Sequence, residues 1–142
     1  MSAVSLAPIT GFSHVQLLVR DVATSERWYT QALGLERLVA SDDGSYVALK
    51  HGPSKVVIVL TVSDAVRGPD QRVDALDHLA FAVPDGAILE AWAAQLSARG
   101  IDHPGVVDEL GKPSLVLTDP DGIRIELVAP AGTFAASTAE RS

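Results

Sequence analysis

Two stretches decide how this chain is read: FSHVQLLVRD, Phe12–Asp21, and LDHLAFAVPD, Leu76–Asp85. Each opens with an apolar residue, a polar residue and a histidine, runs on through alternating apolar positions, and closes on Asp. Alternation at period two predicts a strand in each. In the first, Val15, Leu17 and Val19 share one face and leave His14, Gln16 and Leu18 on the other. In the second, Leu79, Phe81 and Val83 oppose His78, Ala80 and Ala82.

The segments after these two strands also match. Asp21 caps a helix over about Ala23–Leu33, with Trp28, Ala32 and Leu33 on one face and Gly34 as the stop. Short strands are expected near Glu36–Ala40, Ser45–Lys50 and Lys55–Thr61, separated by the turn sequences SDDG and HGPS. In the second half Asp85 caps a helix with Ile88, Trp92 and Leu96 on one face, and Gly100 closes it. Further strands are expected near Gly105–Asp108, Pro113–Thr118 and Ile123–Val128. The DPDG at Asp119–Gly122 suits a type I turn with a bulge. The fold class is therefore α+β: two βαβββ modules, over 10–66 and 74–130, whose curved sheets form a cup with the helices outside. Ser63–Asp74 reads as the linker and 131–142 as a flexible tail. A repeated unit of this kind packs against its twin.

Composition narrows the function. The 142 residues suffice for one domain with a substantial core, and 47% of them are hydrophobic. Mean hydropathy is +0.22. Net charge is −7 and Lys and Arg do not cluster, which argues against nucleic acid or an anionic membrane as partner. Without cysteine there is no disulfide, thiolate metal site or Cys nucleophile. The first residues lack the pattern of a signal peptide, and no apolar run reaches membrane-span length. A cytoplasmic protein is the expectation.

In the last strand Ile123, Ile125 and Leu127 form the apolar set, so Arg124 and Glu126 fall on the opposite face. Three strands thus send His14, His78 and Glu126 to the face away from the helices. Two imidazoles and one carboxylate make the 2-His-1-carboxylate set, which leaves coordination positions open for water or substrate. A divalent cation also removes the cost of a buried, unpaired Glu. Singly, each residue has a plainer reading, as a satisfied core or surface histidine or a solvated terminal Glu.

The two His-led strand starts, the βαβββ repeat and the ending TDPDGIRIELV resemble the vicinal oxygen chelate superfamily over about Gly11–Pro130. That group includes glyoxalase I, extradiol dioxygenases, methylmalonyl-CoA epimerase, fosfomycin resistance enzymes and bleomycin-binding proteins. The resemblance implies metal-ligand roles for His14, His78 and Glu126, on Fe, Mn, Zn, Ni or Co. It also implies a small oxygenated substrate bound through two oxygens, and a homodimer whose cups are completed across the interface. His14 and Glu126 could then come from one chain and His78 from the other. Glyoxalase I has a Glu or Gln where KVVIVLT places Val59, and fosfomycin enzymes have a Thr where Gln16 stands. Bleomycin-binding relatives generally lack the ligand set. A dioxygenase-like site is therefore favoured. The alternatives are a fosfomycin- or bleomycin-type resistance or binding protein, and a glyoxalase- or epimerase-type lyase or isomerase.

Further candidates for substrate contact are Gln16, Tyr46, Lys50, Val59, His103 and Arg124. Gln16 lies two residues after His14 on the same face. Tyr46 and Lys50 share a strand face that either lines the cup or is an edge surface. His103 reads either as a group behind the ligands or as a loop histidine before Pro104. Arg124 could meet an anionic substrate or form a surface ion pair. His51 in its turn reads as exposed, and Trp28 and Trp92 as core.

Overall fold

The computed structural model describes residues 11–64 and 76–135; most of the expected linker and the last seven residues of the expected tail lie outside them. In chain order the elements are β1 (Val15–Val19), α1 (Val22–Leu33), β2 (Glu36–Ala40), β3 (Tyr46–Lys50), β4 (Val57–Val62), β5 (His78–Ala82), α2 (Gly86–Ala98), β6 (Val107–Glu109), β7 (Lys112–Thr118) and β8 (Arg124–Val128). They form two curved four-stranded mixed sheets, ordered β1-β4-β3-β2 and β5-β8-β7-β6. Strand, helix and three strands thus occur twice. In each unit the first strand runs parallel to the last and lies at a sheet edge.

Alternation builds the strands in the phase expected. Leu17 and Val19 of β1, Ile58 and Leu60 of β4, and Ile125 and Leu127 of β8 are buried in one continuous core under the helices. His14, Gln16 and Leu18 lie on the exposed side, as do His78, Ala80 and Ala82. Asp21 Oδ2 caps α1 by accepting from the Thr24 amide at 2.9 Å, and Asp85 Oδ1 caps α2 from the Ile88 amide at 2.9 Å. Gly34, at φ 73°, ends α1 in the left-handed conformation that a glycine takes without penalty.

Ala32, Leu33 and Leu96 are buried as read in sequence and Trp28 and Trp92 pack against the core, but both inward faces also take in residues that were not read. In α1 the buried residues are Ser25, Tyr29, Ala32 and Leu33, while Trp28 packs edge-on to Tyr29 at a ring separation of 4.8 Å. In α2 they are Gly86, Leu89, Ala93 and Leu96, and Ile88 is exposed. The sequence GAILEAWAAQLSA is apolar nearly all round, so two overlapping stripes fit the helical period and the pattern cannot choose between them. Gly86 helps to decide: its amide donates to the Thr133 carbonyl at 2.6 Å, and a Cβ there would collide with that carbonyl. This seats residues 133–135 over the start of α2.

The DPDG turn joins the two units. The turn closes with the Gly122 amide donating to the Asp119 carbonyl at 3.0 Å, and Gly122 has φ 86°. Asp119 Oδ1 accepts from the Asp121 and Ile123 amides, both at 2.8 Å, and Asp119 Oδ2 accepts from Tyr29 OH at 2.7 Å. Asp121 Oδ1 accepts from the Arg20 amide and Nε, both at 3.0 Å, while its Oδ2 takes the Ser25 hydroxyl at 3.2 Å. Arg20 Nη2 adds the Pro120 carbonyl at 2.9 Å. The start of α1 is thereby latched to the second unit through buried carboxylates. Burial pushes the Asp119 pKa up against the pull of its three donors. Burial also lifts Tyr29 well above the ordinary tyrosine value, with Asp119 adding to it.

Candidate metal centre

β5 and β8 are hydrogen-bonded neighbours, and their parallel register sets His78 beside Arg124 and Ala80 beside Glu126. Glu126 projects to the side opposite Ile125 and Leu127. Its carboxylate is nonetheless only 4% exposed, on a floor whose register partners are Ala80 and Val116. Among the described residues its ion pair is with His78, Nε2 to Oε2 at 3.6 Å. On the far side of the ring, His78 Nδ1 lies 2.7 Å from Asp77 Oδ1. An ionised carboxylate only accepts, so Nδ1 carries the proton and Nε2 is the atom aimed at Glu126. The hydrogen bond to Asp77 raises the His78 pKa above the ordinary value; burial opposes it and Glu126 adds to it. Arg124 Nη1 stands 3.8 Å from the same Asp77 oxygen, a long ion pair at the rim.

The first unit carries the matching half. His14 precedes β1 with Nδ1 3.0 Å from Ser13 Oγ. Gln16 pairs in register with Val59, as Ala80 pairs with Glu126, so Val59 occupies the position equivalent to the carboxylate. Ile58 and Leu60, its neighbours on β4, are buried in the core, and Val59 faces the other way. Gln16 Nε2 donates to Thr61 Oγ1 at 2.8 Å on that same face. The β3 register puts Tyr46 beside Thr61, Ala48 beside Val59 and Lys50 beside Val57, so Tyr46 and Lys50 belong to this face.

Within one chain these two faces are separate. No three His, Asp or Glu side chains come together as a metal-holding group among the described residues. The grouping expected of the candidate ligands, His14 with Glu126, is not the one that the strand order makes. His78 and Glu126 lie near each other because β5 and β8 are adjacent strands of one sheet, whereas His14 adjoins the other sheet.

The remaining histidines make local hydrogen bonds. His103 Nε2 donates to the Ala93 carbonyl at 2.9 Å and lies 2.8 Å from Ser97 Oγ, and its Nδ1 accepts from the Gly105 amide at 3.1 Å. Both ring nitrogens are therefore occupied in tying the loop to the last turns of α2. His51 Nδ1 lies 2.7 Å from Ser54 Oγ and closes its own turn. It also lines an apolar cavity of about 220 Å³ between the units, with Leu35, Phe81 and Trp92. Asp77 and Ser13 were not legible as parts of the site. The signal available was their position, each directly before a repeat-matched histidine.

The donor set suits a divalent ion. Glu126 is a nearly buried carboxylate on an apolar floor, and an imidazole nitrogen is aimed at it with its tautomer fixed from behind. His78 and Glu126 would hold such an ion, which would offset the charge of the buried carboxylate.

Residues 11–127 match the Glyoxalase/Bleomycin resistance protein/Dioxygenase superfamily, and the chain belongs to that family. It is 30% identical over 129 residues to a catechol-2,3-dioxygenase of Bacillus subtilis; the match covers 84% of this chain but only 41% of that protein. A glyoxylase/bleomycin resistance protein/dioxygenase domain from Frankia has a similar structure, with TM-score 0.73 and 28% identity over 86% of this chain and 98% of the other. The fold is shared at TM-score 0.68 and 18% identity by a mutant of the fosfomycin resistance protein FosX from Listeria monocytogenes. That match covers 94% of this chain and 98% of the other, and that protein was complexed with Mn(II) and 1S,2S-dihydroxypropylphosphonic acid. Among the described residues, no helix is long and apolar enough to cross a membrane.

Proposed function

We propose that this protein is a divalent-metal enzyme, with the ion held by His78 and Glu126 of one chain and by His14 of the partner subunit in a homodimer. The observation that carries this reading is Glu126, 4% exposed and facing His78 Nε2 at 3.6 Å. A carboxylate kept out of water beside one imidazole costs stability unless a cation completes the site. The separation of His14 from that pair supports a site finished across two copies. Strands β1 and β5, which carry or adjoin the two histidines, are sheet edges among the described strands and suit such an approach.

The substrate class is a small molecule presenting two neighbouring oxygens, and the reaction favoured is of the dioxygenase type. Val59 in the carboxylate-equivalent position leaves three protein ligands and open positions. The similarity to a catechol-2,3-dioxygenase supports the same choice. A bound metal would supply a Lewis acid for the two oxygens and, as Fe or Mn, a site for O₂. The chain itself supplies the shape and the polar contacts. Ala80, Ala82 and Val116 make a shallow apolar floor, and Gln16 and Thr61 offer a hydrogen-bonding pair. Tyr46, Lys50 and Arg124 stand where they can orient an anionic or phenolic oxygen.

The test is to purify the full chain without chelator, measure its metals, load it anaerobically with Fe(II) or Mn(II), and follow O₂ uptake with a panel of catechols. Oxygen consumed in step with ring cleavage is the expected result. Turnover of a thiohemiacetal or an epoxide without O₂ would replace the dioxygenase reading with a lyase- or fosfomycin-type one. Binding without turnover would leave a small-molecule binding protein.

A further inference from the structure

In both repeats, the residue before the histidine supplies the partner of Nδ1. Ser13 Oγ lies 3.0 Å from His14 Nδ1, and Asp77 Oδ1 lies 2.7 Å from His78 Nδ1. The two partners differ in kind. A hydroxyl donates or accepts, so Ser13 tolerates either tautomer of His14. A carboxylate only accepts, so Asp77 keeps the proton on Nδ1 and turns the lone pair of neutral His78 towards Glu126. The neighbouring strand holds Asp77 as well. Arg124, the register partner of His78, stands 3.8 Å from the same Asp77 oxygen.

We propose that Asp77 is a positioning residue of the metal centre, which makes His78 and Glu126 the preformed half of the site and leaves His14 as the adaptable ligand that closes it. This rests on the metal reading above. The physical effect is twofold: a carboxylate behind a ligating imidazole fixes ring orientation and tautomer, and it makes the outward nitrogen a stronger donor. Among the described residues the partner behind His14 is the Ser13 hydroxyl rather than a carboxylate, and Val59 fills the position equivalent to Glu126. The two halves of the site are therefore unequal, and assembly of the centre is ordered, with the second unit capturing the ion first.

The experiment uses the full chain as wild type, Asp77→Ala, Asp77→Asn and Ser13→Ala. Each is titrated with Mn²⁺ alone against a fluorescent chelator, and the metal-free proteins are examined by ¹⁵N-histidine NMR for the His78 tautomer. Asp77→Ala should weaken Mn²⁺ binding about 10- to 100-fold, the loss typical of removing such a partner. Asp77→Asn should recover part of this, because the amide oxygen still accepts from Nδ1. Ser13→Ala should stay within about threefold of wild type, since His14 keeps both tautomers. The neutral His78 ring should carry its proton on Nδ1 in wild type and lose that preference in Asp77→Ala. Melting curves should be unchanged, because Asp77 is an exposed residue. Equal Mn²⁺ affinity in wild type and Asp77→Ala would overturn this inference and leave the metal reading standing. A wild-type chain that binds no Mn²⁺ would overturn the metal reading and this inference with it.

Discussion

If Glu126 is kept for a metal rather than for the fold, removing its charge should not harm the metal-free protein. When the His78 ring is protonated, its gross attraction to Glu126 at 3.6 Å is about 5 kcal/mol at an effective dielectric of 20. Desolvating the carboxylate costs several kcal/mol, so the two terms nearly cancel. Replacing buried charges by apolar residues is often neutral or stabilising by about 1–4 kcal/mol. His78 is half-exposed and keeps Asp77, so Glu126→Leu should fall at the lower end, near 1 kcal/mol, with Ala80 and Val116 as its neighbours. In EDTA the variant should melt level with wild type or up to about 4 °C higher. Manganese reverses the order: at a hundred times its dissociation constant it should add about 2.7 kcal/mol to wild type and nothing to the variant. A loss of 2 kcal/mol or more in EDTA, about the least a core truncation usually costs, would refute the reasoning. So would a response of the variant to Mn²⁺.

The same geometry predicts other outcomes. His14→Ala, His78→Ala and Glu126→Ala should each empty the site by elemental analysis. His103→Ala should keep its metal but lose about 1 kcal/mol in urea melts, because it leaves the Gly105 amide without its partner. Val59→Glu should tighten metal binding and suppress turnover; a fall in stability that Mn²⁺ does not rescue would place Val59 outside the centre. Asp121→Ala and Arg20→Ala should couple by about 0.5–3 kcal/mol in a double-mutant cycle across the two units, and strict additivity would remove the latch. Asp119 has a folded pKa above its unfolded one, so its contribution is present below the unfolded value and is lost as pH rises through the folded one. Asp119→Asn does not titrate, so its stability relative to wild type should increase from pH 4 to pH 7 in urea titrations; the opposite slope would contradict the assigned burial effect.

Much of this was legible in the sequence because period two leaves little choice in a half-buried strand. His14, His78, Val59 and Glu126 all face the side that alternation assigned, since a shift by one residue would have buried the histidines and exposed Leu17 or Ile125. Tyr29 was not legible as core, because its burial depends on Asp119, 90 residues away in the chain. The α2 face was ambiguous because Ile88 and Leu89 both lie on apolar stripes. The grouping of the ligands was hidden for a different reason. Strand phase says which way His14 and Glu126 point, but not that β8 lies directly beside β5 and so brings Glu126 to His78. Asp77 precedes its strand, where alternation carries no information, so only the ring contact reveals it.

The central claim, that each centre takes His78 and Glu126 from one chain and His14 from the partner subunit, is tested most directly by mixing inactive variants. His14→Ala and Glu126→Ala proteins are co-refolded in equal amounts, and bound Mn²⁺ is counted by electron paramagnetic resonance after removal of free ion. A two-fold dimer with shared sites rebuilds one intact centre in each mixed dimer, so binding should return to about a quarter of the wild-type level. His78→Ala mixed with Glu126→Ala should return none, since both lesions fall in the same half. Binding that stays at the background of either parent in the first mixture, in protein shown to be dimeric and mixed, would contradict the account.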